Sequence, residues 1–206
     1  SFKEIQDLPK FYRRYLINCL SGFKSVCLCG TMSPKQQPNL SIISSVIHVG
    51  AQPPLMGMLM RPHVVERHTI ENIDETGYFT LNHITEDMVK AAHQTSARYA
   101  REQSEFEAIG LEMDLKESFF APYVAASPLK IGLSYKEKHK ITTNVTQLII
   151  GQVEEIWLSE EAIGEDGYID LGVTGSITAA GLDSYFRAEK ITRLSYAKPD
   201  EEPREI

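Results

Sequence analysis

Residues 39–62 read NLSIISSVIHVGAQPPLMGMLMRP, a β-rich stretch with no clean polar face. On an extended strand Ile42, Ser44, Val46 and His48 share one side, and Ser41, Ile43, Ser45 and Ile47 share the other. A strand buried on one face alternates apolar with polar residues. Here β-branched residues and small hydroxyls occur on both sides, so the strand needs mixed surroundings on both. Gly50 to Pro54 breaks the run, and a second strand follows that ends near Arg61.

The flanking segments supply more strands than helices. Asp7-Leu8-Pro9 predicts a helix over about 8–20, with Asp7 as cap and Pro9 in its first turn. FKSVCLCGTM is a strand, followed by a polar loop, SPKQQPN. Residues 63–73 carry apolar residues near helical spacing, closed by Glu75-Thr76-Gly77, and YFTLNHI is a short strand. Thr85 opens a helix over TEDMVKAAHQTSARYA with acids in its first turn, and SEFEAIGLE adds a helical turn. PLKIGLSYKEKHKI and NVTQLIIGQVEEIWLS are strands, and the chain closes with a helix or loop, a last strand and a frayed acidic tail at about 199–206. Strands adjacent in sequence, without regular βα alternation, predict a mainly β fold with peripheral helices: an antiparallel barrel rather than a doubly wound sheet. With 206 residues and no composition break, a single domain over 1–206 is expected.

Composition excludes several functions. A formal charge of −7 makes a nucleic-acid backbone an unlikely partner, and no apolar run reaches the ~18 residues a membrane helix requires. SFKEIQDLPKFYRRYL lacks a signal-peptide core, so a cytoplasmic protein is expected. Cys27 and Cys29 would point to one face of a strand, but no further Cys or His stands at metal-ligand spacing, which predicts packed thiols and no metal site. There is no GxSxG elbow, no phosphate-binding Walker loop and no GxGxxG after a strand, so no catalytic residue is nominated.

What remains is a set of binding groups. Asn39, Ser41, Ser44 and Ser45 offer short donors and acceptors, Arg61 ends the next strand, and Arg67, His68 and Thr69 follow. Arginine with hydroxyls suits a phosphate, and helix N-terminal amides would assist. The same residues equally serve as turn caps, strand-end donors and surface ion pairs, and pattern alone leaves both possibilities open.

Taken together, N-L-S…S-S-V-I-H-V-G-A-Q-P-P-L-M-G-M-L-M-R-P, R-H-T-I-E-N-I-D-E-T-G-Y-F-T-L-N-H-I, SEFEAIGLE, QLIIGQVEEIW and GLDSYFRAEKITRLSYAKP resemble the flavin reductase-like family of FMN-binding split barrels, the group containing flavoredoxin. The resemblance spans about residues 25–199. It implies an antiparallel split β-barrel, a homodimer with FMN near the subunit interface, and electron transfer between NADH or NADPH and flavin, or from reduced flavin to a redox partner. Position by position it implies flavin contacts from Asn39, Ser41, Ser44 and Ser45, phosphate contacts from Arg61 and Thr69, and further matched positions at Asn82, His93 and Ser96. Two positions depart from the family pattern: Gln147 stands where many relatives have His, and Gln152 replaces Glu. Gln147 can hydrogen-bond a flavin edge but cannot carry a proton near neutral pH. A flavin-binding module that stores or senses FMN without turning over nicotinamide is the alternative. Lining a flavin cleft would also account for the mixed faces of residues 39–48.

Overall fold

The computed structural model describes residues 1–62 and 66–206. In chain order its elements are α1 (Phe2–Asp7), α2 (Lys10–Cys19), β1 (Lys24–Ser25), β2 (Cys27–Met32), β3 (Pro38–Ile43), β4 (Val46–Ala51), β5 (Pro54–Met60) and α3 (His68–Thr76). Then follow β6 (Tyr78–His83), α4 (Val89–Gln94), α5 (Glu105–Ile109), β7 (Met113–Asp114), β8 (Tyr123–Val124), β9 (Leu129–Lys140), β10 (Gln147–Leu158), β11 (Ile177–Ala180) and β12 (Ser184–Arg187).

The expected single strand at 39–49 is two, and the two lie at opposite edges of one sheet. Seven antiparallel strands run in the order β3-β2-β6-β9-β10-β5-β4. Ser44 and Ser45 alone join β3 to β4. Three peptide steps of ~3.8 Å span at most about 11 Å, so the sheet must curl until its edges meet at these serines. The result is a barrel with a seam, in keeping with the expected fold. The Leu59 N–H donates to the Ser45 carbonyl at 3.0 Å, and the Ser25 hydroxyl to the Val46 carbonyl at 3.0 Å, fixing the seam from both sides.

The mixed faces of β3 now have a cause: both are covered. Ile43 joins the barrel interior with Cys27, Cys29, Met58, Phe79, Leu133 and Ile149. Leu40 packs on the opposite side with Leu28, Ile84, Met88, Ala92 and Phe106. The two thiols are packed as apolar groups, as expected, and burial pushes Cys27 up to about 12 and Cys29 further. Among the described residues no cluster of His, Cys, Asp and Glu could hold a metal. Strand β10 bends at a register shift beside Gly151, where an added Cβ would lie 2.6 Å from the Phe79 ring.

Several boundaries differ from those expected. The N-terminal helix is two: Ser1 caps α1 in a capping box with Glu4, and Pro9 rather than Asp7 sits at the cap of α2. FKSVCLCGTM divides into β1, which pairs with β11, and β2. The helix expected over 63–73 is α3; residues 63–65 lie outside the described residues, and Gly77 ends the helix in the left-handed conformation with φ 77°. The long helix expected from Thr85 is a 3-10 turn, Glu86–Met88, followed by α4. It stops where the buried Thr95 hydroxyl turns back to the Ala92 carbonyl at 2.7 Å. The last ladder strand is β12, within the segment expected as helix or loop. The tail beyond it folds back on itself through bridges Leu194–Glu205 and Lys198–Glu201 rather than fraying. No helix among the described residues is long and apolar enough to cross a membrane.

Candidate functional site

Helix α3 covers one end of the barrel. Its apolar side, Ile70 and Ile73, enters the interior, while Thr69 and Asn72 meet the strand ends. Asn39 lies opposite Thr31 in the β2–β3 ladder, and both are buried. The Asn39 side-chain amide donates to Thr31 Oγ1 at 3.1 Å and to Thr69 Oγ1 at 3.0 Å, which uses both of its protons. The Asn72 amide donates to the same Thr31 oxygen at 3.1 Å. Thr69 Oγ1 and Ser41 Oγ are 2.8 Å apart.

Thr69 accepts from Asn39, and the Thr69 and Ser41 hydroxyls hold two protons with one hydrogen bond between them, in which either can donate. One hydroxyl proton is therefore left for a group outside the network. Ser41 is half-buried whereas Thr69 is buried, so Ser41 is the hydroxyl that faces outward.

Positive charge collects beside it. Arg67 occupies the cap position of α3, and its Nε donates to the Pro62 carbonyl at 3.1 Å, setting its guanidinium next to Arg61. Burial, and then the charges of Arg61 and Arg98, hold Arg67 below its ordinary value, while its guanidinium remains protonated. The loop bearing Arg98 is tied to α3 by an Arg101–Glu71 ion pair, and Glu71 also accepts the Arg67 backbone N–H at 3.0 Å. Among the described residues no carboxylate pairs with the guanidinium of Arg61, Arg67 or Arg98. Three close cations, a helix N-terminus and a half-buried hydroxyl have the chemistry to hold an anion. Glu105 stands behind it on α5; burial raises its carboxyl, which accepts the Leu40 N–H at 3.0 Å and lies in the field of His68.

The structure thus brings together Asn39, Ser41 and Thr69, with Arg61 nearby. Ser44 and Ser45 lie at the seam, outside the strands on which they were expected. Asn82 is placed elsewhere: its amide donates to the Leu28 carbonyl and Thr80 Oγ1, and its carbonyl accepts the Val124 N–H at 3.0 Å. His93 ends α4 with Nδ1 2.7 Å from the Tyr185 hydroxyl on β12, and Ser96 is exposed one turn beyond. Gln147 starts β10 opposite Met60, the neighbour of Arg61, and its buried Oε1 has no partner among the described residues. Thr31, Asn72 and Arg98 were missed from sequence. The faint signal for Thr31 was its parity with Cys27 and Cys29 on one strand face, and for Asn72 its position one turn beyond Thr69.

Comparison with known proteins accords with this geometry. The family described as flavin reductase like domain matches residues 23–174. The chain belongs to that family. A solved structure from Shewanella frigidimarina NCIMB 400, described as a candidate flavin reductase with a split barrel domain, is 44% identical with a TM-score of 0.92, over 96% of this chain and 98% of that one. Two more distant structures share the fold. Nitrilotriacetate monooxygenase component B from Bacillus cereus is 20% identical with TM-score 0.81, over 92% and 96% of the two chains. Flavoredoxin of Desulfovibrio vulgaris (Miyazaki F) is 22% identical with TM-score 0.71, over 87% and 92%.

Proposed function

We propose that the chain is an FMN-binding oxidoreductase acting as a single domain in a homodimer, with NADH or NADPH as electron donor and free flavin or a redox partner as acceptor. The observation that supports it most directly is the cluster of arginines and hydroxyls at the start of α3. Arg61, Arg67 and the hydroxyls of Ser41 and Thr69 match a phosphate, which accepts and never donates when fully ionised. Ser44, Ser45 and the Gln147 carbonyl, which has no partner among the described residues, lie at or beside the seam, where they can address the ribityl chain and ring. Gln147 supplies a hydrogen-bond acceptor but no titrating proton. When bound, flavin would supply the hydride and electron chemistry, so the protein needs no acid–base pair. The exposed Ile47, Val49 and Leu59 on β4 and β5 offer one apolar face for a second copy. Three free cysteines accord with a reducing cytoplasm.

Titration with FMN followed by absorbance and fluorescence tests this directly: a yellow complex of one FMN per chain is expected. A colourless protein that gains no flavin overturns the proposal. Oxidation of NADH or NADPH that rises with added flavin supports reductase activity, and tight FMN without turnover points to a storage or sensing module.

A further inference from the structure

Glu105 carries a charge that the fold does not explain. It begins α5 and is only 6% exposed, yet among the described residues no Lys, Arg or His forms an ion pair with it. Its hydrogen-bond donors are neutral: the Leu40 N–H at 3.0 Å and its own backbone N–H. Strand β3 lies at an edge of the sheet, so an N–H turned away from β2 needs an acceptor from outside the sheet. A glutamine would accept the same proton without placing a charge in the interior, where an unpaired ion is costly. Tying down the edge of β3 therefore does not by itself call for a carboxyl. Buried ionisable groups of this kind cluster at functional sites.

Its position supplies a reason. Leu40 lies between Asn39 and Ser41, the two β3 residues whose side chains meet Thr69. His68, the first residue of α3 and the neighbour of Thr69, is the charged side chain whose field reaches Glu105. The other charged groups nearby are engaged elsewhere. On α3, Glu71 pairs with Arg101, and at its cap Arg67 turns its Nε to the Pro62 carbonyl. Strand β3 has no ionisable side chain; on α4, His93 faces Tyr185, and Lys90 lines a separate cavity with Thr85 and Arg187. An ionised Glu105 thus acts on the corner that holds Arg61, Arg67 and Arg98, with the opposite sign to theirs. We propose that Glu105 sets the affinity of this corner: its carboxylate opposes the flavin phosphate, so FMN is held tightly when Glu105 is protonated and exchanges when it is ionised. This rests on the FMN site proposed above. Linkage makes the effect reciprocal, so a bound phosphate favours protonated Glu105 by the same factor. Burial already raises the carboxyl, which moves this proton exchange toward neutral pH.

The test is titration of the full chain with FMN and with riboflavin at pH 5 and pH 8, for the wild type and Glu105→Gln, followed by flavin fluorescence. Glutamine keeps an acceptor for the Leu40 N–H and removes the charge. At pH 8 Glu105→Gln should bind FMN about five- to tenfold more tightly than the wild type, the effect of one charge across a partly buried corner. At pH 5 the gap should narrow to within about twofold, because the wild-type carboxyl is then largely protonated. Riboflavin, which lacks the phosphate, should bind both proteins alike at either pH. Equal or weaker binding of FMN by Glu105→Gln at pH 8 overturns the inference, as does an equal gain for both flavins. Carboxyl carbon-13 NMR of the wild type reads Glu105 without a substitution. FMN should move its titration midpoint to higher pH and riboflavin should not; a midpoint moved by neither, or by both alike, overturns the inference alone. A wild type that binds FMN no more tightly than riboflavin overturns the phosphate site and the inference together.

Discussion

Asn39 and Asn82 occupy strands on either side of β2, and both are buried. Their hydrogen bonds lead to opposite outcomes. Asn82 closes a knot: Leu28, Thr80 and Val124 take its amide and carbonyl groups, and the Thr80 hydroxyl donates to the Pro122 carbonyl at 2.6 Å. Asn39 starts a chain that ends on a half-buried hydroxyl beside three arginines. The same side chain thus serves as a structural tie where its network ends on buried backbone carbonyls, and reaches toward the surface where its network ends on a half-buried hydroxyl.

The contrast can be broken from either side. Asn82→Ala should cost about 3 kcal/mol or more in urea unfolding, because it strands the buried Val124 N–H and leaves the Leu28 carbonyl and Thr80 hydroxyl short of partners. The fraction that remains folded should bind FMN as the wild type does, and a selective loss of flavin would move Asn82 into the site. Arg61→Ala with Thr69→Ala should do the reverse, weakening FMN about 10- to 100-fold through lost charge-assisted hydrogen bonds while costing about 1 kcal/mol of stability. Unchanged affinity would show that the anion receptor lies elsewhere.

A histidine next to Asn82 sharpens the comparison through pH. His83 Nδ1 lies 3.0 Å from Ser176 Oγ, and burial lowers its pKa to about 4. The folded state therefore holds the ring neutral while the unfolded chain protonates near 6.5. Its stability contribution is complete above pH 6.5 and is lost as pH falls toward 4. Between pH 7.5 and 5 the wild type should lose about 2 kcal/mol that His83→Asn does not lose, measured by urea unfolding. Equal losses would assign the acid sensitivity to other groups. The smallest effect is chemical: native protein should react with a thiol reagent at the exposed Cys19 only, and denatured protein at all three cysteines. Rapid native labelling of Cys27 or Cys29 would mean that the barrel opens at β2.

The barrel was legible from sequence because its strands are dense, adjacent and rich in β-branched residues, as in QLIIGQVEEIW. Asn39, Ser41, Thr69 and Arg61 were legible as a group from residue type and order. Two things were not. The break at Ser44-Ser45 has no Gly or Pro to mark it, and only the sheet order reveals the change of edge. The separation of Asn82 from Asn39 depends on which face of β6 turns toward which cluster, a matter of long-range register that single-strand pattern does not carry. Arg98 was invisible for the same reason, since it comes near Arg67 only through the fold.

The two-residue link between β3 and β4 also bears on the order in which the chain assembles. The edges of the sheet are tethered from the start, so bringing them together costs little chain entropy. The ladder that must join them runs through β5 and β10, where Met60 pairs with Gln147, almost ninety residues away. Closure is thus limited by the middle of the sheet rather than by its seam, and slow folding governed by topology is the expected kinetic signature.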